Sequence, residues 1–273
     1  MTGMTPDVDT AEIEKIIRHV AATEVMPRFR NLADGDIREK NPGDFVTVAD
    51  EASEKVLSAM LTEALPGSTV VGEEAVSKNA AVLDLLKGDA PVWVVDPIDG
   101  TYNFSHNRSR FGILVSLVYR GRTVYGFAYD APGNRMAVAS LGAGARIDGQ
   151  RLSMKTHSDN LNDLVLQGGG AQAWHFDPVR PLFRDVVNHR CSLHDFMDVY
   201  TGVSDCIVHL GRATPWDHAA NVLIVGEAGG YTTVDGDKPY DPSYCGKAYI
   251  TVAASKTLCD QIYAASEPLL RRK

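Results

Sequence analysis

Cysteine is scarce in this chain, four in 273 residues, and Cys191, Cys206, Cys245 and Cys259 form no C-x-x-C pair. That spacing excludes a zinc ribbon or a dithiol redox centre, so the thiols are expected in the core. No apolar run nears the roughly 18 residues needed to cross a bilayer. The opening MTGMTPDVDTAEIEK also lacks the basic-then-apolar order of a secretory signal. A soluble, cytoplasmic protein with no membrane partner is expected. Basic charge is in deficit too: a formal charge of −8 argues against binding to nucleic acid or anionic lipid, which rests on a surplus of Lys and Arg. The short LLRRK end reads as a solvated helix terminus. Neither an internal repeat nor a low-complexity linker is visible.

What is present is an ordinary globular composition, 44% apolar and 23% charged, long enough to bury a large core. Asp9 and Glu12 open a helix whose apolar positions run from Ile13 to Val25 and stop at Pro27. A loop, EKNPGDF, leads to a second helix from about Ala49 to Leu61, with Asp50 in its first turn and Pro66-Gly67 as its stop. Short strands are expected at STVVG and VWVVD, with a charged, mobile connection over 78–89 between them. A β-meander follows at 111–119, 123–130 and 135–140, then a hairpin turning at Asp148-Gly149. Farther on, the pattern predicts a strand at 164–167 and helices at 178–188 and 196–202. A strand at 206–210 comes next, then a helix opening at Pro215-Trp216-Asp217 and a strand at 231–235. The order is α+β, a single catalytic unit over 1–273 with approximate halves at 1–145 and 146–273.

Chemistry concentrates in WVVDPIDGTYNF, residues 93–104. An apolar run that reads as a buried strand ends in Asp96 and Asp99, and buried carboxylates are costly unless something positive compensates them. Glu73 and Glu74 follow another strand, while Asp50 and Asp217 sit in the first turns of two helices. All six lie where strands end or helices begin, the edges from which a layered fold gathers distant side chains into one cleft. An all-oxygen set without histidine spacing or paired thiolates suits a hard cation such as Mg²⁺. Pro97 stiffens the turn, and Gly100 permits close backbone approach. Thr101 is expected to begin a helix, leaving the Gly100 and Thr101 amides free for a phosphate.

Taken together, GDFVTVADEASEKVL, VVGEEA, WVVDPIDGTYNF and PWDHAANVLIVGEAGGY resemble, in order and separation, the inositol monophosphatase family of Mg²⁺-dependent, lithium-sensitive phosphatases. The resemblance implies an αβαβα layered sandwich, a homodimer and a site between its two halves. It implies that Glu73, Asp96 and the Ile98 carbonyl hold one Mg²⁺ and that Asp96, Asp99 and Asp217 hold a second. Glu73 with waters would hold a weaker third. Glu74 stands behind these or on a water, and Lys40 lies near the metals. Gly100 and Thr101 would receive the phosphate, while Glu73 and the Asp50–Thr101 pair would serve an attacking water, without a covalent phosphoenzyme.

Asp99, Asp217, Ser192, His209 and Arg212 are the expected contacts to a small phosphorylated metabolite. CIVHLGRATPWD stands where animal members carry a glutamate for inositol hydroxyls, and RCSLHDF replaces a small-residue wall of the pocket. Inositol 1-phosphate is therefore the leading substrate, beside histidinol phosphate, fructose 1,6-bisphosphate and 3'-phosphonucleotides. Bacterial extragenic suppressor relatives add a role in binding the transcription machinery. Two other phosphatase readings fail on the residues. Cys206 to Arg212 spells C-x5-R, yet its bulky aliphatics read as a strand, and DPIDGT lacks the D-x-D-x-T spacing of an aspartyl-phosphate enzyme. Gly168-Gly169-Gly170 reads as a flexible loop at the pocket rim.

Overall fold

The structure is a computed structural model that describes residues 5–33, 35–41, 43–156, 158–170 and 172–271, so the last two residues of the basic tail lie outside it. Helix α1 (Thr10–Val20) starts where the Asp9 carboxylate accepts the Ala11 and Glu12 N–H groups, and it continues as a π turn, Ala21–Val25. The expected loop at EKNPGDF is instead a hairpin of β1 (Ile37–Asn41) and β2 (Asp44–Thr47). Its first strand is polar and largely exposed, so no apolar alternation announced it. Helix α2 (Val48–Ala64) opens on a capping box in which Thr47 and Asp50 satisfy each other's backbone donors.

Strand β3 (Thr69–Gly72) leads into the short helix α3 (Glu73–Lys78). The segment expected to be mobile is 3-10 helical at Ala80–Lys87, capped by Asn79 and pinned by buried Leu86 beside Val71, Val94 and Trp216. Strand β4 (Val92–Asp99) is buried at every position and runs into α4 (Thr101–Ser105). The meander is as expected: β5 (Gly112–Tyr119), β6 (Arg122–Asp130) and β7 (Arg135–Ser140). Strands β8 (Gly144–Ile147) and β9 (Gln150–Arg151) join at Asp148 and Gly149, both with positive φ as a tight hairpin requires.

Strand β10 (Val165–Gly169) takes in Gly168 and Gly169, both buried, so only Gly170 belongs to the cleft rim and the glycine run is not a flexible loop. The helix expected at 178–188 does not form. Pro178 and Pro181 lack the N–H groups an α ladder needs, and the chain takes 3-10 turns over Ala173–Leu182 and then β11 (Asp185–Val187). Helix α5 (Ser192–Tyr200) starts four residues before the expected position, 196. Strand β12 (Cys206–Ala213), helix α6 (Pro215–Glu227) and β13 (Tyr231–Val234) follow the sequence pattern. Beyond them stand β14 (Gly246–Ala253), which was not expected, and α7 (Lys256–Leu270), of which only the helix end at LLRRK was.

The strands form a seven-stranded sheet in sequential order β3 to β9 and a five-stranded sheet in the order β11-β10-β12-β14-β13. Ile13, Ile17, Leu57 and Leu61 of α1 and α2 pack with Trp93, Val95 and Phe127 on one face of the larger sheet. Its other face meets α5 and α6 through Leu114, Ala128, Phe196 and Ile224, and the same cluster reaches Ile207 and Ile250 of the smaller sheet. Phe176, Val179, Leu258 and Ile262 close the far side. The layers are thus αβαβα, as expected.

Seating α6 against the sheet requires Gly126, where an added Cβ would lie 2.8 Å from the Ala220 carbonyl oxygen and 3.0 Å from its Cα. Neither backbone atom can turn aside. Gly126→Ala is therefore expected to destabilise the fold by about 1–3 kcal/mol. Because α6 carries Asp217, it should weaken Mg²⁺ binding as well. Chemical denaturation and Mg²⁺ titration of the variant check both effects, and unchanged values in both would show that the layers separate without cost.

Candidate metal and phosphate site

Two stretches far apart in sequence, the carboxyl end of β4 and the first turn of α6, bring three carboxylates together. Asp96, Asp99 and Asp217 each offer an oxygen, and these atoms lie within 4.8 Å of one another. Asp96 and Asp99 are buried in a strand, and Asp217 comes from the first turn of α6, partly exposed to the cleft. Burial pushes the Asp96 carboxyl well above the usual range, with Glu73, Asp99 and Asp217 adding repulsion. Burial and then Asp217 hold Asp99 up to about 7. Burial also raises Asp217, against the opposing hydrogen bond from Thr214. Such a group ionises fully only when a cation joins it.

Glu73 and Glu74 form the first turn of α3, opposite Lys40 of the β1–β2 hairpin. The Lys40 ammonium donates to Glu73 Oε1 at 2.8 Å and to Glu74 Oε1 at 3.0 Å. Burial alone would lower this lysine, but the two glutamates outweigh it and hold it above its ordinary value. Burial lifts Glu73 to about 8 despite Lys40, with Asp217 and Glu74 contributing. Glu74 is buried behind Glu73.

Asp50 Oδ2 accepts from the Thr47 N–H at 2.7 Å and from the Thr47 hydroxyl at 2.6 Å. Its other oxygen faces the Thr101 hydroxyl at 3.2 Å, and that hydroxyl also lies 2.9 Å from the Ile98 carbonyl oxygen. Burial raises Asp50 to about 7 against the two Thr47 bonds. Gly100 has φ +84, and a Cβ there would stand 2.9 Å from the Arg110 carbonyl oxygen. The turn therefore demands glycine. The Gly100 carbonyl accepts the first backbone bonds of α4, from Asn103 and Phe104, which leaves the Thr101 and Tyr102 N–H groups without an intrahelical acceptor.

A cleft of about 550 Å³ opens over this floor, lined by Asp99, Ser192, His209 and Asp217 together with Gly43, Gly170, Gln172, His175, Arg190, Cys191 and Asp195. The Ser192 hydroxyl donates to the Asp217 carbonyl at 2.9 Å. His209 is neutral, since burial and the neighbouring His218 lower it to about 3. Arg212 is not brought to this cleft. It sits three residues along β12, an odd step that turns it to the opposite face of the sheet, and lines a separate cleft with Lys247 and Arg271. The Cys206 thiol lies within the same strand and is raised far above its ordinary value by burial, so no thiolate phosphate loop exists there.

Several members of the site left no local mark in the sequence. Glu54, on α2, accepts the Glu74 N–H at 2.7 Å and the Ala75 N–H at 2.9 Å, which fixes the start of α3. Asp99 does the same for α5, accepting from Ser192 N–H at 3.1 Å and from Leu193 N–H, and the Cys191 thiol donates to it at 3.2 Å. This cap, supplied from β4, is why α5 begins at Ser192. Asp195 is buried in the first turn of the same helix, where its carboxylate accepts the His189 N–H at 3.3 Å. The spacing of Glu54 from Asp50, one helical turn, was the available signal for that residue.

The donor set fits a hard divalent ion. It is all oxygen, clustered, and kept toward the protonated form by burial first and by its own repulsion second when no cation is present.

Comparison with known proteins agrees. The model of the inositol monophosphatase family matches residues 7–270. Inositol monophosphatase 1 of Sus scrofa is 30% identical over 214 residues, 74% of this chain and 76% of that one. Nus factor SuhB of Escherichia coli K12 is 30% identical over 200 residues, 70% of this chain and 72% of its own. Among solved structures, inositol monophosphatase II of Staphylococcus aureus superposes with a TM-score of 0.77 at 25% identity, covering 94% of this chain and 93% of that one.

Proposed function

Because the chain belongs to the inositol monophosphatase family, we propose that it is a Mg²⁺-dependent phosphomonoesterase with inositol 1-phosphate as its leading substrate. The observation that carries this reading is the triad of Asp96, Asp99 and Asp217 within 4.8 Å of one another beneath a polar cleft. Glu73, Asp96 and the Ile98 carbonyl would hold one ion, Asp96, Asp99 and Asp217 a second, and Glu73 with waters a weaker third. Mg²⁺ bound there would supply Lewis-acid stabilisation of phosphate charge and a more acidic water.

The chain's own groups do the rest. The Gly100 and Thr101 amides receive phosphate oxygens at the start of α4. The Thr101 hydroxyl, 3.2 Å from Asp50, holds the attacking water in line and passes its proton toward that carboxylate, while Thr47 keeps Asp50 oriented from behind. Lys40 fixes Glu73 and Glu74 and limits their mutual repulsion. Ser192 positions α6 through the Asp217 carbonyl, and His209 meets the departing alcohol as a neutral imidazole. A homodimer, lithium inhibition and a cytoplasmic location complete the reading.

Phosphate release from inositol 1-phosphate, histidinol phosphate, fructose 1,6-bisphosphate and 3'-phosphoadenosine 5'-phosphate, with and without Mg²⁺, tests it. Selective, Mg²⁺-dependent turnover is expected, and silence on all four would sink the reading. The likeness to Nus factor SuhB supports a second one, a regulatory protein that binds the transcription machinery. Rescue of a deletion phenotype by a chain whose metal site is disabled would favour that role over catalysis.

A further inference from the structure

Among the described residues Arg190 is the only arginine or lysine that lines the cleft, and it forms no ion pair with a carboxylate among them. Neighbouring Arg110 is already engaged, 3.7 Å from Asp198 and 3.3 Å from His189. Arg190 instead sits over an aromatic ring, its guanidinium carbon 3.4 Å from the centroid of Tyr102. His106 stacks on the same ring at 4.1 Å, and the Arg108 guanidinium lies farther from it, at 5.4 Å. A guanidinium seated over a ring can still offer its N–H groups to a carboxylate or phosphate through two parallel bonds. Little side-chain entropy remains to be lost on binding.

The backbone points the same way. Arg190 has φ +56, in the left-handed region, where a long side chain is disfavoured. Among the described residues Arg30, Asn107, Arg120, Asn134, Asp148 and Asp235 share that conformation; Arg120, Asn134 and Asp148 sit in hairpin turns that require it, and none of the six lines the cleft. Arg190 stands in the approach to α5, directly before Cys191 and Ser192, whose thiol and N–H hold Asp99. A strained arginine at the mouth of an acidic cleft, with no structural partner except a ring, is the pattern of a functional residue. Position matters as well. Tyr102 immediately follows Gly100 and Thr101, so the guanidinium stands one residue beyond the place proposed for the reacting phosphate.

We propose that Arg190 is a specificity residue that receives a second anionic group, carboxylate or phosphate, on a small phosphomonoester. The inference rests on the phosphatase reading and sharpens its substrate class. A neutral polyol has no use for a cation at this rim. A doubly anionic substrate gains a charge-assisted contact there, while the carboxylate floor, loaded with its cation, takes the reacting phosphate.

Equilibrium binding of fructose 1,6-bisphosphate and fructose 1-phosphate, followed by calorimetry with Ca²⁺ in place of Mg²⁺, reads this directly. The native chain is expected to prefer the bisphosphate, and Arg190→Gln to reduce that preference by about tenfold or more. Arg190→Lys should restore only part of it, because a point charge lacks the planar fork. Arg190→Gly, which suits the local backbone, should keep the thermal midpoint and show the same loss of preference, separating recognition from folding. With Mg²⁺, the loss should appear in KM for the bisphosphate more than in kcat. An unchanged preference in Arg190→Gln, or an equal loss for both ligands, overturns the proposal; the second result would assign Arg190 to the reacting phosphate. If the native chain shows no turnover while the binding preference still moves with Arg190, the phosphatase reading fails and the anion site stands.

Discussion

Asp96→Asn is expected to lower kcat/KM by about a thousandfold or more, the scale of several kcal/mol of lost electrostatic stabilisation. Asp96 is the residue proposed to bridge both ions, and an amide oxygen is a far weaker ligand for a hard cation than a carboxylate. The same substitution should make the metal-free protein more stable. Burial foremost, with Glu73, Asp99 and Asp217, keeps Asp96 protonated in the metal-free fold whereas the unfolded chain ionises it, and asparagine removes that cost of proton uptake at nearly constant volume. Asparagine also keeps the oxygen that accepts the Ile98 N–H at 3.1 Å. Phosphate release together with thermal melts in a chelator makes the check. A variant that turns over like its parent would remove Asp96 from the chemistry, and one that melts lower without metal would refute that cost.

A second large effect follows from the protons this cluster retains. Burial foremost raises Glu73 to about 8 and Asp99 and Asp50 to about 7 in the metal-free chain, whereas free carboxyls titrate near 4. The folded state therefore binds more protons than the unfolded chain between these values. The stability gained from protonation is complete below about pH 4 and is lost as pH rises through about 7 to 8. Melting in a chelator should thus fall by several degrees between about pH 5 and about pH 8.5. Saturating Mg²⁺ should reverse the fall, because the cation takes the place of the protons, and its stabilising shift should grow with pH as binding releases them. Scanning calorimetry across pH with and without Mg²⁺ gives the answer. A Mg²⁺-induced shift that is the same at both ends of the range would mean that the carboxylates are already ionised without a cation.

Local patterns carried much of this architecture. The apolar periods of α1, α2 and α6, the meander and the Asp148-Gly149 turn were readable because each rests on residues adjacent in sequence. The carboxylates were readable for a related reason, since each lies beside a strand end or a helix start that the sequence marks. Errors fell where the deciding partner is remote. The first strand of the β1–β2 hairpin turns polar side chains outward, and the hairpin's ties to the site, Lys40 facing Glu73 and Glu74 and Thr47 holding Asp50, reach residues elsewhere in the fold. Helix α5 begins where Asp99 supplies the cap, which no reading of residues 188–196 can supply. Arg212 looked equivalent to His209 until the strand's alternation placed it on the opposite face. Arg190 opens RCSLHDF, a departure at the pocket wall, but nothing in that stretch set the arginine apart, and its significance comes from a torsion angle and from a ring eighty-eight residues earlier in the chain.

The convergence of β4 and α6 has a consequence for the newborn chain. Translation, at roughly 5–20 residues per second, delivers Asp96 and Asp99 well before Asp217 has been polymerised. Until the last quarter of the polypeptide leaves the ribosome, the nascent protein lacks one carboxylate of the triad and the helix that carries it. A truncated product can therefore bury the larger sheet's outer face against α1 and α2 but cannot complete the triad. A chain that ends before α6 lacks both the third carboxylate and part of the cover over the inner face of the larger sheet.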